Sequence, residues 1–276
     1  MRSNPPIAAK VRKLRKRARR ALITTAFRSG LKAPKHIFVP PGRVAMFHSG
    51  RCGSTVLADL LDQHSRFFWD GEILKIPRWK RPGNIRRFLE LSLFLTPTKF
   101  YGFETKFSHV GFHGFSLSNY VAMLDEVGFN KFVVVRRKNF LRQVLSSKIG
   151  RATKIMRLPV SATAKLTSVH LDVDDLRYHR ESNSLLGHFD KLNKDYRDLE
   201  IILKPKQALW LNYEDHIAGN PLTAYEMVCD FLAVETDPVS VRLIKVNPFP
   251  VRKMIENYNE VERKLSGTPY EWMLHD

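Results

Sequence analysis

Residues 45–57 constrain this chain more than any other stretch. Val44, Ala45, Met46 and Phe47 form a short apolar run with the composition of a buried strand. Gly50 and Gly53 bracket a turn directly after it, and Ser54 and Thr55 open a segment in which Val56, Leu57, Leu60 and Leu61 recur at helical spacing. The pattern reads strand, tight loop, helix. Such a loop aims backbone N–H groups and the positive end of a helix dipole at one point, and glycines let an anion approach the main chain. Arg51 adds a permanent charge there, and the hydroxyls of Ser54 and Thr55 add donors. The segment 51–55 (Arg51, Cys52, Gly53, Ser54, Thr55) is therefore expected to cradle a phosphate. Without a ligand, the same pattern is an ordinary strand-to-helix connector.

Two familiar phosphate loops do not fit. A Walker A loop needs Lys directly before its Ser/Thr, and Ser54 stands between Gly53 and Thr55. A Cys-x5-Arg phosphatase loop from Cys52 would need Arg at position 58, which is Ala58.

A second stretch has the same logic. Phe132, Val133, Val134 and Val135 make a buried strand, and Arg136 and Arg137 stand where that strand leaves its sheet. A helix is expected next, with Phe140, Leu141, Val144 and Leu145 inside and Ser146 two turns in. An arginine pair at a strand end with a hydroxyl on the following helix can clasp a second phosphate. Two such sites imply a ligand phosphorylated at both ends of a nucleoside.

Other elements fall around these two. A short strand near 66–70 ends in Asp70 and Gly71, so Glu72 is expected at the sheet edge that carries the loop, placed as a general base. Residues 99–105, rich in aromatics, read as a strand delivering Lys106 and His109 to that edge. Helices are expected at 54–64, 78–95 and 116–127, and strands at 43–48, 99–105, 131–136 and 207–213. The fold class follows: a three-layer α/β domain, P-loop-NTPase-like, with a mainly parallel central sheet, helices on both faces and the ligand at the strands' C-terminal ends.

Charge is unevenly distributed over the 276 residues. Of a formal net charge of +19, twelve basic residues and no acidic one precede His36. Residues 1–35 are read as a basic arm, partly disordered or an amphipathic helix with Val11, Leu14, Ala18 and Leu22 near one face. That suits contact with an anionic membrane. Residues 36–276 form the α/β domain, with Pro40, Pro41 and Gly42 at its start. No apolar run reaches the roughly 20 residues of a membrane span. Cys52 and Cys229 form no disulfide framework, so a reducing, cytoplasmic setting is expected, at most at the inner face of a membrane. No histidine pair has metal-ligand spacing, and no metal is expected.

These motifs together carry a resemblance. Residues 51–55 resemble the 5′-phosphosulfate loop, and residues 133–146 the 3′-phosphate motif, of sulfotransferases that use 3′-phosphoadenosine 5′-phosphosulfate (PAPS). The Arg-Arg-x-Asn run with its later Leu-Arg-Gln and Ser is most similar to bacterial carbohydrate and glycolipid sulfotransferases, the trehalose-sulfotransferase and NodH-like group. Residues 209–215, 229–234, 245–248 and 255–258 resemble later segments of that group. The chain departs at Cys52, where Ser is usual, and at Lys138 and Asn139, where many members have a proline after the arginine. Which of Arg136 and Arg137 meets the 3′-phosphate stays open. The resemblance implies PAPS as donor, 3′,5′-ADP as product, a carbohydrate or glycolipid hydroxyl as acceptor, and no specific nucleic-acid partner. It implies that Arg51 stabilises charge on the departing phosphate with Lys106 assisting, and that Glu72 deprotonates the acceptor, with His109 the alternative base. Part of the acceptor pocket is expected within 151–206, a stretch that includes Asp172, Asp174, Asp175, Arg177 and His179. The competing readings are a P-loop small-molecule kinase and a non-enzymatic polyanion-binding protein.

Overall fold

In a computed structural model, residues 7–30, 41–75, 82–96, 98–178 and 181–275 are described. Residues 1–6 and 31–35 of the basic arm, residues 36–40 at the expected start of the domain, the start of the helix expected from 78, and His179 lie outside them. In chain order the elements are α1 (Ile7–Arg28), β1 (Arg43–His48), α2 (Ser54–Gln63), β2 (Phe67–Glu72), α3 (Pro82–Phe94), β3 (Phe100–Lys106), α4 (Phe107–Phe112), α5 (Leu117–Glu126), β4 (Lys131–Arg136) and α6 (Phe140–Thr153). There follow β5 (Leu158–Pro159), β6 (Leu176–Tyr178), β7 (Glu181–Asn183), α7 (Leu185–Leu203), β8 (Gln207–Asn212), α8 (Tyr213–His216), α9 (Pro221–Phe231), β9 (Leu243–Ile244), α10 (Val251–Met254) and α11 (Tyr258–Leu265).

Five strands form one parallel sheet in the order β2-β3-β1-β4-β8. The expected α/β class and the expected strands are found, the short one near 66–70 being β2. Side-chain alternation explains why the sheet is covered on both faces. Ala45, Phe47, Phe132 and Val134 face one core with the buried residues of α3, α5, α6 and α7. Val44, Met46, Val133 and Val135 face the other, with Leu57, Leu60 and Leu61 of α2 and Val228 and Cys229 of α9. Gly102 is required by this packing. A Cβ there would stand 2.2 Å from the Trp69 ring of the neighbouring strand.

The chain leaves β1 toward β2 on one side and leaves β4 toward β8 on the other. Adjacent parallel strands whose connections diverge open a crevice at their C-terminal ends, where ligands bind in sheets of this kind. Here that crevice lies between the loop after β1 and the residues after β4.

The basic arm contributes a helix seated on the body. Arg19 is 7% exposed and donates from Nη1 to Asp70 Oδ2 at 2.9 Å and from Nη2 to the Ser92 carbonyl at 2.6 Å. Its guanidinium also stacks over Phe68, 4.4 Å from the ring centroid. Arg20 Nη2 donates to the Asp70 carbonyl at 2.8 Å, and Ile23 is fully buried in the core beneath α3. Burial by itself would raise the Asp70 carboxyl, but the charges of Arg19 and Arg20 and hydrogen bonds from Arg19 and Tyr101 hold it below its ordinary value. Removing the negative member of such a pair strands a buried guanidinium, at a cost of about 3 kcal/mol. Asp70→Asn is therefore expected to speed amide exchange across residues 16–28 strongly, and exchange equal to wild type would mean that other contacts hold α1.

Candidate active site

The loop after β1 adopts the conformation its glycines permit. Gly50, Arg51 and Gly53 have φ of 89°, 54° and 85°. Arg51 is thus a non-glycine residue in the left-handed region, a conformation that costs of order 1 kcal/mol and is retained where surrounding structure fixes it. Gly53 also caps α2, and a Cβ on it would press within 2.8 Å of Ile217 and Tyr213.

Buried polar contacts fix the loop. Gly50 N–H donates to His48 Nδ1 at 3.1 Å. Tyr196 of α7, fully enclosed, donates from its hydroxyl to the Val135 carbonyl at 2.9 Å and lies 2.8 Å from Ser49 Oγ. Gln143 Nε2 of α6 donates to the same Ser49 Oγ at 2.9 Å. The end of β1 is therefore tied to the end of β4. The Cys52 side chain turns inward and is fully buried, its thiol pushed up to about 11 by burial. Only the backbone of Cys52 remains for an anion.

Around this loop opens a cavity of about 1400 Å³. Most ligand pockets span about 300–1,000 Å³, so this one has room for two molecules. Gly53, Ser54 and Thr55 line it, as do Arg51, Glu72, Lys106, His109, Arg137 and Ser146. The two stretches singled out in the sequence meet here. Arg137 Nη1 donates to the Arg51 carbonyl at 3.1 Å, and Arg51 Nε donates to Ser146 Oγ at 2.9 Å. Arg51 Nη1 also donates to the Met156 carbonyl at 2.9 Å, so its guanidinium reaches toward α6.

Arg136 goes elsewhere. Strand alternation sends its side chain to the opposite face, where Nη2 donates to Asn193 Oδ1 at 3.2 Å and the guanidinium stacks 5.4 Å from the Tyr196 centroid. Of the arginine pair, Arg137 faces the cavity. It lies 4.5 Å from the Tyr213 ring centroid and 3.9 Å from Glu214 Oε1. Arg142, Lys245 and Arg157 add three further cations to the cavity wall.

At the β2–β3 end, Lys106 Nζ pairs with Glu72 Oε1 at 3.0 Å, and a Cβ on Gly50 would stand 3.3 Å from Lys106 Cε. Burial opposes ionisation of Glu72, but Lys106 and His48 outweigh it and hold the carboxylate below its ordinary value. His109 is lowered to about 4 by burial and then by Lys106, so its ring is neutral near pH 7. Either group can accept a proton from a hydroxyl in the cavity.

Sequence reading missed Glu104. It lies 6% exposed at the Glu72 register position, with His48 Nε2 3.6 Å from Oε2, and is raised to about 7 by burial and then by Glu72. A glutamate directly after the aromatic run 100–103, still inside the expected strand 99–105, was the available signal. His48, Glu72 and Glu104 offer ligand atoms within 4.8 Å of one another, the geometry of a candidate cation site. Lys106 already supplies the counter-charge there at 3.0 Å, and a metal would have to compete with it.

The segment 151–206 contributes in part. Residues 156–158 and 162–164 line the cavity, and β5 pairs antiparallel with β9, joining that wall to the one formed by 243–249. Asp172, Asp174, Asp175 and Arg177 are not among the lining residues; Asp172 Oδ1 instead accepts from the N–H groups of Asp174 and Asp175.

No protein-family model matches the chain, and no curated protein matches it. Among solved structures, a sulfotransferase from Alicyclobacillus acidocaldarius is similar with a TM-score of 0.45 and 15% identity, over 84% of this chain and 94% of that one. The sulfotransferase domain of the Synechococcus PCC 7002 olefin synthase gives a TM-score of 0.37 and 14% identity, over 75% of this chain and 78% of that one. Likenesses this distant leave the chemistry to be read from the cavity.

Glu104 sets a pH dependence. The folded state keeps its proton up to about pH 7, whereas an unperturbed glutamate releases it at 4.5. The stability this proton contributes is present below the lower value and lost as pH rises through the upper one. Glu72, Lys106, Arg157 and His48 are the charged and titratable groups that face it. Glu104→Gln carries no such proton, so between about pH 5 and pH 8 wild-type stability should fall relative to the variant by on the order of 2 kcal/mol. Parallel pH profiles from urea denaturation would contradict this assignment.

Proposed function

We propose that this protein is a PAPS-dependent sulfotransferase that sulfates a hydroxyl of a carbohydrate or glycolipid. The observation that supports it is the meeting, at the crevice between β1 and β4, of a glycine-bracketed loop opening α2 with a separate cationic clasp from Arg137 and Ser146. When bound, PAPS supplies an activated sulfuryl group on its 5′-phosphate.

In this reading the main chain of 53–55 and the hydroxyls of Ser54 and Thr55 hold the 5′ side. Arg137 and Ser146, with Arg142 and Lys245 nearby, hold the 3′-phosphate. Arg51 bridges the two, since its backbone belongs to the loop and its guanidinium reaches Ser146. Lys106, lying against Gly50, adds positive charge where a leaving phosphate needs it. Glu72 takes the proton of the acceptor hydroxyl; its ionised state suits that task, and release from Lys106 would raise its basicity as the acceptor arrives. His109, neutral and on the same wall, is the alternative base. The acceptor is assigned to the wall built by 156–164 and 243–249, and the cations along the cavity suit a glycan or lipid headgroup.

Two neighbouring arginines give a sharp test. Losing one charge-assisted hydrogen bond costs about 1.5–3 kcal/mol, or about 10- to 100-fold in affinity. By titration calorimetry, Arg137→Ala should weaken 3′,5′-ADP binding by that factor, while Arg136→Ala leaves it near wild type. Labelled PAPS should then transfer its sulfur to a glycan or glycolipid extract with wild type, and at subsaturating PAPS more slowly by about the same factor with Arg137→Ala. Stabilisation by ATP with Mg²⁺ but not by 3′,5′-ADP would overturn the reading in favour of a kinase.

A further inference from the structure

The outward face of α1 is left without a protein partner among the described residues, and its composition is distinctive. Arg19, Arg20 and Ile23 fix the rotational setting of the helix by holding it to Asp70 and the core. Lys16 Nζ adds a pair to Asp62 Oδ1 at 2.7 Å, and Arg87 Nη2 donates to the Ala26 carbonyl at 3.2 Å. With that face turned inward, Leu14, Ala18, Ala21, Leu22 and Thr25 must face out. Leu14 is 62% exposed and Leu22 60%. At 3.6 residues per turn these positions, with Arg17 and Arg28 at one margin, occupy a sector of about 140°.

An exposed apolar stripe bordered on one side by Arg17 and Arg28, on a helix with no acidic residue, has the chemistry of an interfacial helix. We infer that α1 docks the protein onto an anionic phospholipid surface, with Leu14 and Leu22 entering the headgroup boundary and the arginines meeting lipid phosphates. Charge complementarity selects this occupant: the first 35 residues carry twelve basic side chains and no acid, and while Lys16, Arg19 and Arg20 pair with Asp62 and Asp70, Arg17 and Arg28 stay exposed beside the stripe. The leucines separate it from a nucleic acid, whose phosphates bind cations without needing an apolar stripe. A second copy of the chain would bring the same positive helix against itself. The inference does not depend on the sulfotransferase reading, although a surface-bound enzyme would meet glycolipid acceptors in the plane where they lie.

The test is cosedimentation of the full chain with phosphatidylcholine vesicles, with and without phosphatidylserine. Wild type should bind the anionic vesicles, lose binding as salt rises, and bind pure phosphatidylcholine weakly. Leu14→Glu combined with Leu22→Glu should weaken vesicle binding by about a hundredfold, since each buried leucine is worth about tenfold or more. Both leucines are exposed, so urea denaturation and 3′,5′-ADP binding should match wild type, which keeps this outcome distinct from failure of the catalytic reading. Vesicle binding unchanged by the leucine substitutions, with equal salt-sensitive binding to DNA, would overturn the proposal in favour of a general polyanion site. Concentration-dependent dimers abolished by the same substitutions, without vesicle binding, would overturn it in favour of self-association.

Discussion

The seating of β1 between β3 and β4 is the constraint on which the site depends. Parallel register sets His48 opposite Lys106 on one side and Val135 on the other. The loop 49–53, the end of β3 and Arg136 and Arg137 are thereby delivered to one level of one sheet edge. A slip of a single residue would send each of these side chains to the opposite face. The core guards against such a slip, because Phe47, Phe132 and Val134 fill one face and Met46, Val133 and Val135 the other. The Tyr196 hydroxyl, between Ser49 and the Val135 carbonyl, repeats the same constraint in polar form.

Two kinds of charge follow from that arrangement, and they do different things. On the cavity wall between α6 and α8, Arg137 lies over Tyr213 with Glu214 as a loose partner at 3.9 Å, and Arg142 stands beside it, so net positive charge remains. At the β2–β3 end, Lys106 pairs with Glu72, and Glu104, raised to about 7 by burial and then by Glu72, lies beside His48, so acidic and basic groups are mixed there. The first suits anion binding and the second suits moving a proton. Asp70, two residues before Glu72 on the same strand, is held ionised by Arg19 and anchors the helix that precedes the sheet. One short strand therefore serves both the proton-handling end and the docking of α1.

Most of the fold was legible because its signals are local. Runs such as Phe132 to Val135, and the glycines at 50 and 53, announce a buried strand and a tight loop whatever surrounds them. The cavity lining was legible where charge stands at a strand end, as with Arg137 and Lys106. It was not legible where long-range geometry decides. Arg136 and Arg137 are alike in sequence, and only the pleat and the position of Asn193 and Tyr196 on α7 separate them. Glu104 looks like any strand residue until Glu72 and His48 are placed beside it. The basic arm could be read as partly disordered or as an amphipathic helix, but not as docked, because nothing in its own residues announces that Asp70 lies buried some fifty positions later to meet Arg19.

Two anion sites belonging to one ligand underlie the proposed activity. A crystal structure of the protein with 3′,5′-ADP tests this most directly. It should show one phosphate against the backbone N–H groups of residues 53–55 and the other within hydrogen-bond distance of Arg137, with the nucleoside spanning the crevice between β1 and β4. A nucleotide bound with both phosphates away from Arg137, or found outside that crevice, would contradict it.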